Sequence, residues 1–194
     1  MDNTVSTVIL ASGISERMGK AKALLEWNHS LTFLEKIIGE YRKAGCPRII
    51  CMLNEKTEAL CRNMHLPAEA VLLINHHPEW GRFYSIKTGL AEVNDSSYCF
   101  IQNVDNPFVS VDLIEKLYNE RNPDAWCSPV YMGKGGHPVL LPQLIIREIL
   151  QSDHLNTTLR DVLQSKKRIN IAVESDDVLI NINTPEEYSR YRKF

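Results

Sequence analysis

No stretch of this 194-residue sequence approaches the roughly 18 consecutive apolar residues that a membrane-spanning helix needs. Nor does the start, Met-Asp-Asn-Thr, show a basic segment followed by an apolar run. Charge of one sign is not in excess either: 22 lysines and arginines face 24 aspartates and glutamates, a net of −2. That balance offers no extended basic field for nucleic acid or an anionic membrane, but it permits a small anion held by a few local cations. The expectation is a cytoplasmic protein with neither membrane nor nucleic acid as partner. Cysteine pairs are missing too. Cys46, Cys51, Cys61, Cys99 and Cys127 are odd in number and form no Cys-x-x-Cys, so they read as reduced, buried thiols. The histidines supply no cluster at metal-ligand spacing, and His76 and His77 beside Pro78 read as solvated loop residues. No Ser-His-Asp or Cys-His spacing favours covalent catalysis. Without internal repeats or a low-complexity linker, the length fits a single domain, 1–194.

What is there is an alternation of short apolar runs and amphipathic stretches. Strands are expected at 4–11, 48–53, 70–74, 98–103 and 125–130, with helices at 31–44, 55–64, 82–93 and 109–119. This is the rhythm of a three-layer α/β domain whose mostly parallel sheet is covered on both faces. After about residue 130 the rhythm loosens. A flexible Gly133–Gly136 turn precedes a short strand at 138–141, helices near 143–150 and 156–164, and strands at 168–173 and 178–182. Thr184, Pro185 and Glu187 then fit a helix start. Trp126 is expected in the core, the Lys166-Lys167-Arg168 run in solvent, and Trp80 either on a pocket wall or packed at the surface.

In open α/β sheets ligands bind at the carboxyl ends of strands, which directs attention to the loops there. The first is Leu10-Ala-Ser-Gly-Ile-Ser-Glu-Arg-Met-Gly-Lys-Ala-Lys22. Gly13 is free to take φ > 0 and to let amides approach a phosphate, and Arg17, Lys20 and Lys22 add local cations. It is not a Walker A loop: Gly13-x5-Gly19-Lys20-Ala21 has one residue too many and no Ser or Thr after the lysine. The G-x-G-x-x-G fingerprint is absent. On its residues alone, a phosphate cradle and a glycine turn with solvated cations stand about even.

The longer pattern separates them. Leu10, Ala11, Gly13, Ser15, Arg17, Met18, Gly19, Lys22, Leu24 and Leu25 match L-A-[AG]-G-x-S-x-R-M-G-x-x-K-x-L-L, and the segment resembles the MobA-like NTP transferases, the molybdenum-cofactor cytidylyl- and guanylyltransferases. Ala21 stands where proline is frequent. Trp80–Leu90 is similar to that family's G-x-x-x-S-[LIV]-x-x-G-L, with Asn75 upstream; Gln102-Asn-Val-Asp105-Asn-Pro107 to its metal-binding loop; Gly133–Val139 to G-x-x-G-H-P-V; and Asn181–Glu187 to D-[IL]-D-T-P-E-[DE]. In the last, Asn181 and Asn183 replace both aspartates.

The resemblance implies a Rossmann-like nucleotide-diphospho-sugar transferase (GT-A-like) fold, with a nucleotide-binding half at about 1–108 and an acceptor-binding half at about 109–194. It implies an NTP site built from Leu10, Ala11, Ser12, Gly13, Ser15, Arg17, Lys22, Asn75 and Ser85. Arg17, Lys22 and Asp105 would be catalytic, and Asp105 with Asn183 would hold Mg²⁺. Mg²⁺ prefers one or two carboxylates plus phosphate oxygens and water, which suits Asp105. Gly136, His137 and Pro138 would face the acceptor; His137 reads equally as a phosphate contact or a structural turn residue, and Ser85 also as a helix-start serine. The implied reaction is magnesium-dependent transfer from an NTP to a phosphorylated acceptor of the molybdopterin type. Cytidylyltransferases tend to carry Ala, and guanylyltransferases Gly, at the place of Ser12; the serine is nearer in kind to alanine, so CTP is favoured over GTP. The asparagines keep a sugar-phosphate or phosphonate acceptor open as an alternative, and a non-catalytic nucleotide-binding regulator as another.

Overall fold

Val5–Ala11 is buried at every position, the condition of a strand covered on both faces. In a computed structural model that describes residues 1, 4–13, 16–153 and 155–191, this segment is β1, at the centre of the sheet. The remaining strands are β2 (Glu26–Asn28), β3 (Leu31–Thr32), β4 (Ile49–Leu53), β5 (Ala70–Ile74), β6 (Tyr98–Asn103), β7 (Trp126–Tyr131), β8 (Lys134–Gly135), β9 (Val139–Pro142) and β10 (Arg168–Ala172). The helices are α1 (Phe33–Lys43), α2 (Glu55–Cys61), α3 (Gly81–Ala91), α4 (Val111–Asn119), α5 (Gln143–Gln151), α6 (Leu159–Gln164) and α7 (Pro185–Tyr191).

The large sheet runs β10-β7-β9-β6-β1-β4-β5, with β8 paired to β7. β1 lies parallel to β4 on one side and to β6 on the other (Thr7↔Ile49, Val5↔Tyr98). β9 is antiparallel to both of its neighbours (Ile101↔Val139, Cys127↔Leu140). Apolar side chains of alternate residues divide between two cores. Val5, Ile9 and Ala11 pack with Phe33, Leu34, Ile37 and Ile38 of α1 and Ile114 and Leu117 of α4. Val8 and Leu10 pack with Ile86 and Leu90 of α3 and Ile145, Ile146 and Ile149 of α5. The fold is therefore the three-layer α/β arrangement with a mostly parallel sheet.

Helix starts follow their caps. Thr32 accepts from Glu35 N while Glu35 returns a bond to Thr32 N, and Asn54, Ser110 and Thr158 cap α2, α4 and α6. All five cysteines are buried and unpaired, and burial raises their thiol pKa values.

Two elements depart from expectation. Residues 26–32 form a small hairpin of β2 and β3, outside the large sheet. Residues 178–182, expected as a strand, are instead the end of a 3-10 turn (Asp176–Leu179) and an irregular loop. Val178 and Ile182 are buried as an apolar run predicts, but the backbone pairs with loops rather than with a strand. Val178 O accepts from His137 N at 2.9 Å, and Ile182 N donates to Asp105 O at 2.8 Å. Burial fixed where the side chains go, and the partners of the backbone decided what the segment is.

Candidate active site

At the carboxyl ends of β1 and β6, a cavity of about 600 Å³ opens between the loop after β1, the first turns of α3, the loop after β6 and the loop before α7. Leu10, Ala11, Ser12, Gly13, Arg17, Lys22, Ser85, Asp105 and Asn183 line it, so residues far apart in sequence meet as the resemblance implies. Ser15 lies outside the described residues. The positive φ in the first loop belongs to Gly19 (68°) and not to Gly13, where an added Cβ would meet no protein atom within 4 Å. Asn54 Nδ2 donates to the Ser12 carbonyl at 3.0 Å and to that of Gly13 at 3.3 Å, which ties the loop to the start of α2.

Asn75 does not line this cavity. It acts one step behind: its Nδ2 donates to Ser85 Oγ at 2.9 Å, and Ser85 Oγ lies 2.8 Å from Ser12 Oγ. All three side chains belong to buried residues, so the chain of bonds holds Ser12 against α3. Ser85 sits inside α3 and not at its cap, which sets aside the helix-start reading.

Lys22 is the hub. Its Nζ donates to Asp105 Oδ2 at 3.1 Å and to Asn183 Oδ1 at 2.6 Å. The other carboxylate oxygen, Asp105 Oδ1, is buried without a hydrogen-bond partner. An orphaned anionic oxygen next to a neutral amide oxygen is a donor set for a hard cation that takes its remaining ligands from phosphate and water. Among the described residues no group of three or more His, Cys, Asp or Glu could hold a metal. Asp105 and Asn183 could thus supply two oxygens to a divalent cation such as Mg²⁺.

The placement of Asp105 and Asn183 has visible causes. Tyr41 OH donates to Gln102 Oε1 at 3.2 Å, and Gln102 Nε2 donates to the carbonyls of Asn103 and Asn106, shaping the turn that carries Asp105. Asn106 Nδ2 in turn donates to the carbonyls of Asp177 and Ile180, fastening the late loop to that turn. Glu187 Oε2 accepts from the backbone N–H groups of Asn183 and Thr184, the latter as part of the α7 cap. Asn106 and Gln102 were not singled out from sequence, because their role lies in contacts with chain segments far removed from them.

A second cavity of about 940 Å³ adjoins the first, and Gly81 and Arg82 line both. Of the three residues expected to face an acceptor, Gly136 and His137 line the second cavity, whereas Pro138 is buried and is not on its wall. Trp80 lines it while stacking on His77, ring centroids 3.9 Å apart. Trp126, expected in the core, is half-buried on its wall with Nε1 unpaired. Arg168 is exposed, as expected, but opens β10 instead of lying in a loop; its Nε and Nη2 donate to Ser128 Oγ at 3.0 and 2.7 Å, and its guanidinium lies 4.8 Å from the Trp126 ring centre. Arg82 and Arg168 are the residues that sequence reasoning passed over. The first sat within a recognised segment at a position with no assigned role, and the second was hidden in a basic run.

Burial, with help from the Arg82 charge and against the pull of Asp105, pushes the His137 pKa down to about 4. His137 is therefore neutral at physiological pH, and its Nδ1 is buried without a partner. The sign for stability follows. Unfolded, the ring takes a proton near pH 6.5; folded, it resists until about 4, so the unfolded state binds more protons between those values. Stability should fall as pH drops through that window, by up to about 3 kcal/mol from this group. Urea midpoints at pH 7 and 4.5 should converge in His137→Gln; an unchanged acid loss in the variant would refute the assignment.

The family described as the MobA-like NTP transferase domain matches residues 7–171. The chain is similar to the molybdenum cofactor cytidylyltransferase of Escherichia coli (strain K12), 26% identical over 96% of this chain and 94% of the relative. It is also similar to a probable molybdenum cofactor guanylyltransferase of Natranaerobius thermophilus, 29% identical over 100% of this chain and 98% of that one. Among solved structures, Rv0371c from Mycobacterium tuberculosis H37Rv superposes with a TM-score of 0.83 at 22% identity, covering 99% of this chain and 98% of that one, a likeness of fold. No helix of the described residues is long and apolar enough to cross a membrane.

Proposed function

This chain belongs to the MobA-like NTP transferase family and is a nucleotidyltransferase; we propose that it couples CTP to a phosphorylated acceptor of the molybdopterin type with Mg²⁺. An acceptor phosphate oxygen forms a bond to the α-phosphorus of the NTP. The bond from that phosphorus to the oxygen bridging to the β-phosphate breaks, and pyrophosphate leaves with the electron pair. No covalent enzyme intermediate is required, so the protein's work is positioning and charge neutralisation.

The observation that carries this reading is the cluster of Lys22, Asp105 and Asn183 in the cavity that Ser12 and Gly13 line. The loop from Leu10 to Gly13 would pack against the base and phosphates, and Arg17 and Lys22 would neutralise the triphosphate and the departing pyrophosphate. Asp105 and Asn183 would hold Mg²⁺. When bound, the ion supplies further charge withdrawal at the phosphates. The second cavity, with Gly136 and His137 on its wall, would take the acceptor.

Two considerations support CTP. Ser12 has a small side chain where cytidylyltransferases carry alanine, and its hydroxyl is engaged by Ser85. The cytidylyltransferase of Escherichia coli is also among the relatives, although guanylyltransferases are too. Pyrophosphate release should be measured with CTP, GTP, ATP and UTP against a panel of phosphorylated acceptors. CTP with a molybdopterin-type acceptor is expected to give the highest kcat/KM, by about tenfold or more over GTP. Titration in which Mg–GTP binds and Mg–CTP does not would overturn the choice of base. A second acceptor class, sugar phosphates, is favoured by the neutral Asn183 in place of an aspartate, and the same panel distinguishes it.

A further inference from the structure

The two cavities meet at Arg82, in the first turn of α3. Its Nη2 donates to Asn103 Oδ1 at 2.6 Å, and that acceptor is a neutral amide. Among the described residues no carboxylate forms a salt bridge with it, and Asp105 acts on it through space. A guanidinium has five donors, so most of this one is uncommitted. The side chain is open to the cleft, yet its head is set far enough into protein that desolvation lowers its pKa. A cation open to the cleft with one neutral partner keeps most of its donors free for an anion. Its neighbour His137 is neutral and brings no competing charge.

We propose that Arg82 binds the phosphate of the acceptor, so that the second cavity receives a phosphomonoester whose reacting end lies at the junction with the nucleotide cavity. On the β1 side, Arg17 and Lys22 already face the first cavity, so the triphosphate has its own cations. The reaction presses a second anion against the α-phosphate, and like charges at that distance repel strongly in a partly desolvated cleft. A planar fork with free donors, lining both cavities, is placed to hold two oxygens of that second anion and to offset the repulsion. Elsewhere on the wall of the second cavity, Arg168, held by Ser128 and Trp126, offers a donor edge to the rest of the molecule. This inference rests on the second cavity being the acceptor side.

Trp80 and Trp126 both line that cavity, while Trp27 packs elsewhere between Phe33 and Phe108, so intrinsic fluorescence reports on it. Phenyl phosphate titrated into the full chain is expected to give a saturable change. Arg82→Gln should weaken its binding by about 30-fold or more, and Arg82→Lys, which keeps the charge without the fork, by at least about fivefold. Mg–CTP affinity, measured by calorimetry, should stay within about threefold of wild type in both variants. The proposal is overturned if phenyl phosphate binds Arg82→Gln as it binds wild type, if wild type does not bind it by about 10 mM, or if the loss falls on Mg–CTP instead. Should Arg82→Gln fail to fold, Arg82→Lys decides alone by the same criterion. Failure of the transferase reading shows separately, as absence of CTP-dependent pyrophosphate release by the wild type.

Discussion

Asp105→Asn should lower kcat/KM for pyrophosphate release by about 10³-fold, roughly 4 kcal/mol of lost transition-state stabilisation, with little change in melting temperature. In the wild type one carboxylate oxygen accepts from Lys22 and the other is buried and unpaired, aimed at no protein donor. The amide is the same shape but has a single oxygen. Facing that oxygen to Lys22 puts an NH2 where the cation-seeking oxygen stood, a donor directed at a cation. Stability should hardly suffer, because the Lys22–Asp105 pair is only partly buried and such pairs contribute about 1 kcal/mol or less. A coupled pyrophosphate assay beside a thermal melt tests both halves. Less than a tenfold loss of activity, or a fall of many degrees, would remove Asp105 from the chemistry.

The second large effect is one of stability. Gly136→Ala would put a Cβ 2.3 Å from Val178 O and 2.7 Å from Val178 C and Cβ. Most of what it meets is backbone, which no rotamer change can move aside. The Gly136 and His137 N–H groups are committed at the same place, to Pro129 O at 2.8 Å and to Val178 O at 2.9 Å. We expect a loss of about 2–4 kcal/mol and a fall in melting temperature of about 5–15 °C, with a raised KM for the acceptor because the wall of the second cavity must shift. Gly13→Ala is the contrast. Among the described residues its Cβ meets no protein atom within 4 Å, so stability should hold within about 0.5 kcal/mol while NTP affinity falls, since the methyl stands in the first cavity, the one proposed for the nucleotide. Equal melting curves for the two variants would contradict this account.

The short apolar, β-branched runs made β1, β5 and β6 legible to within a residue, both for the inner strands β1 and β6 and for the edge strand β5. Residues 178–182 carry the same signal and form no strand; the Val178 and Ile180 carbonyls are claimed by His137 and Asn106 instead. The reversed direction of β9 was likewise hidden: nothing local distinguishes Val139–Pro142 from a parallel strand. In the site, Arg17, Lys22, Ser85, Asp105 and Asn183 were readable through a resemblance that spans distant loops. Arg82 was not, because an arginine at a helix start is ordinary until its surroundings show that no carboxylate pairs with it.

The tie between Asn106 and the carbonyls of Asp177 and Ile180 fastens a late loop to a scaffold whose strands lie earlier in the sequence. Every described strand of the sheet ends by Ala172, before the residues that bring in Asn183. Residues 177–183 give Lys22 one of its two partners and the Asp105 turn its outer brace. Sheet and cavity are therefore separable along the sequence: a segment that contributes no described strand supplies part of the cavity wall.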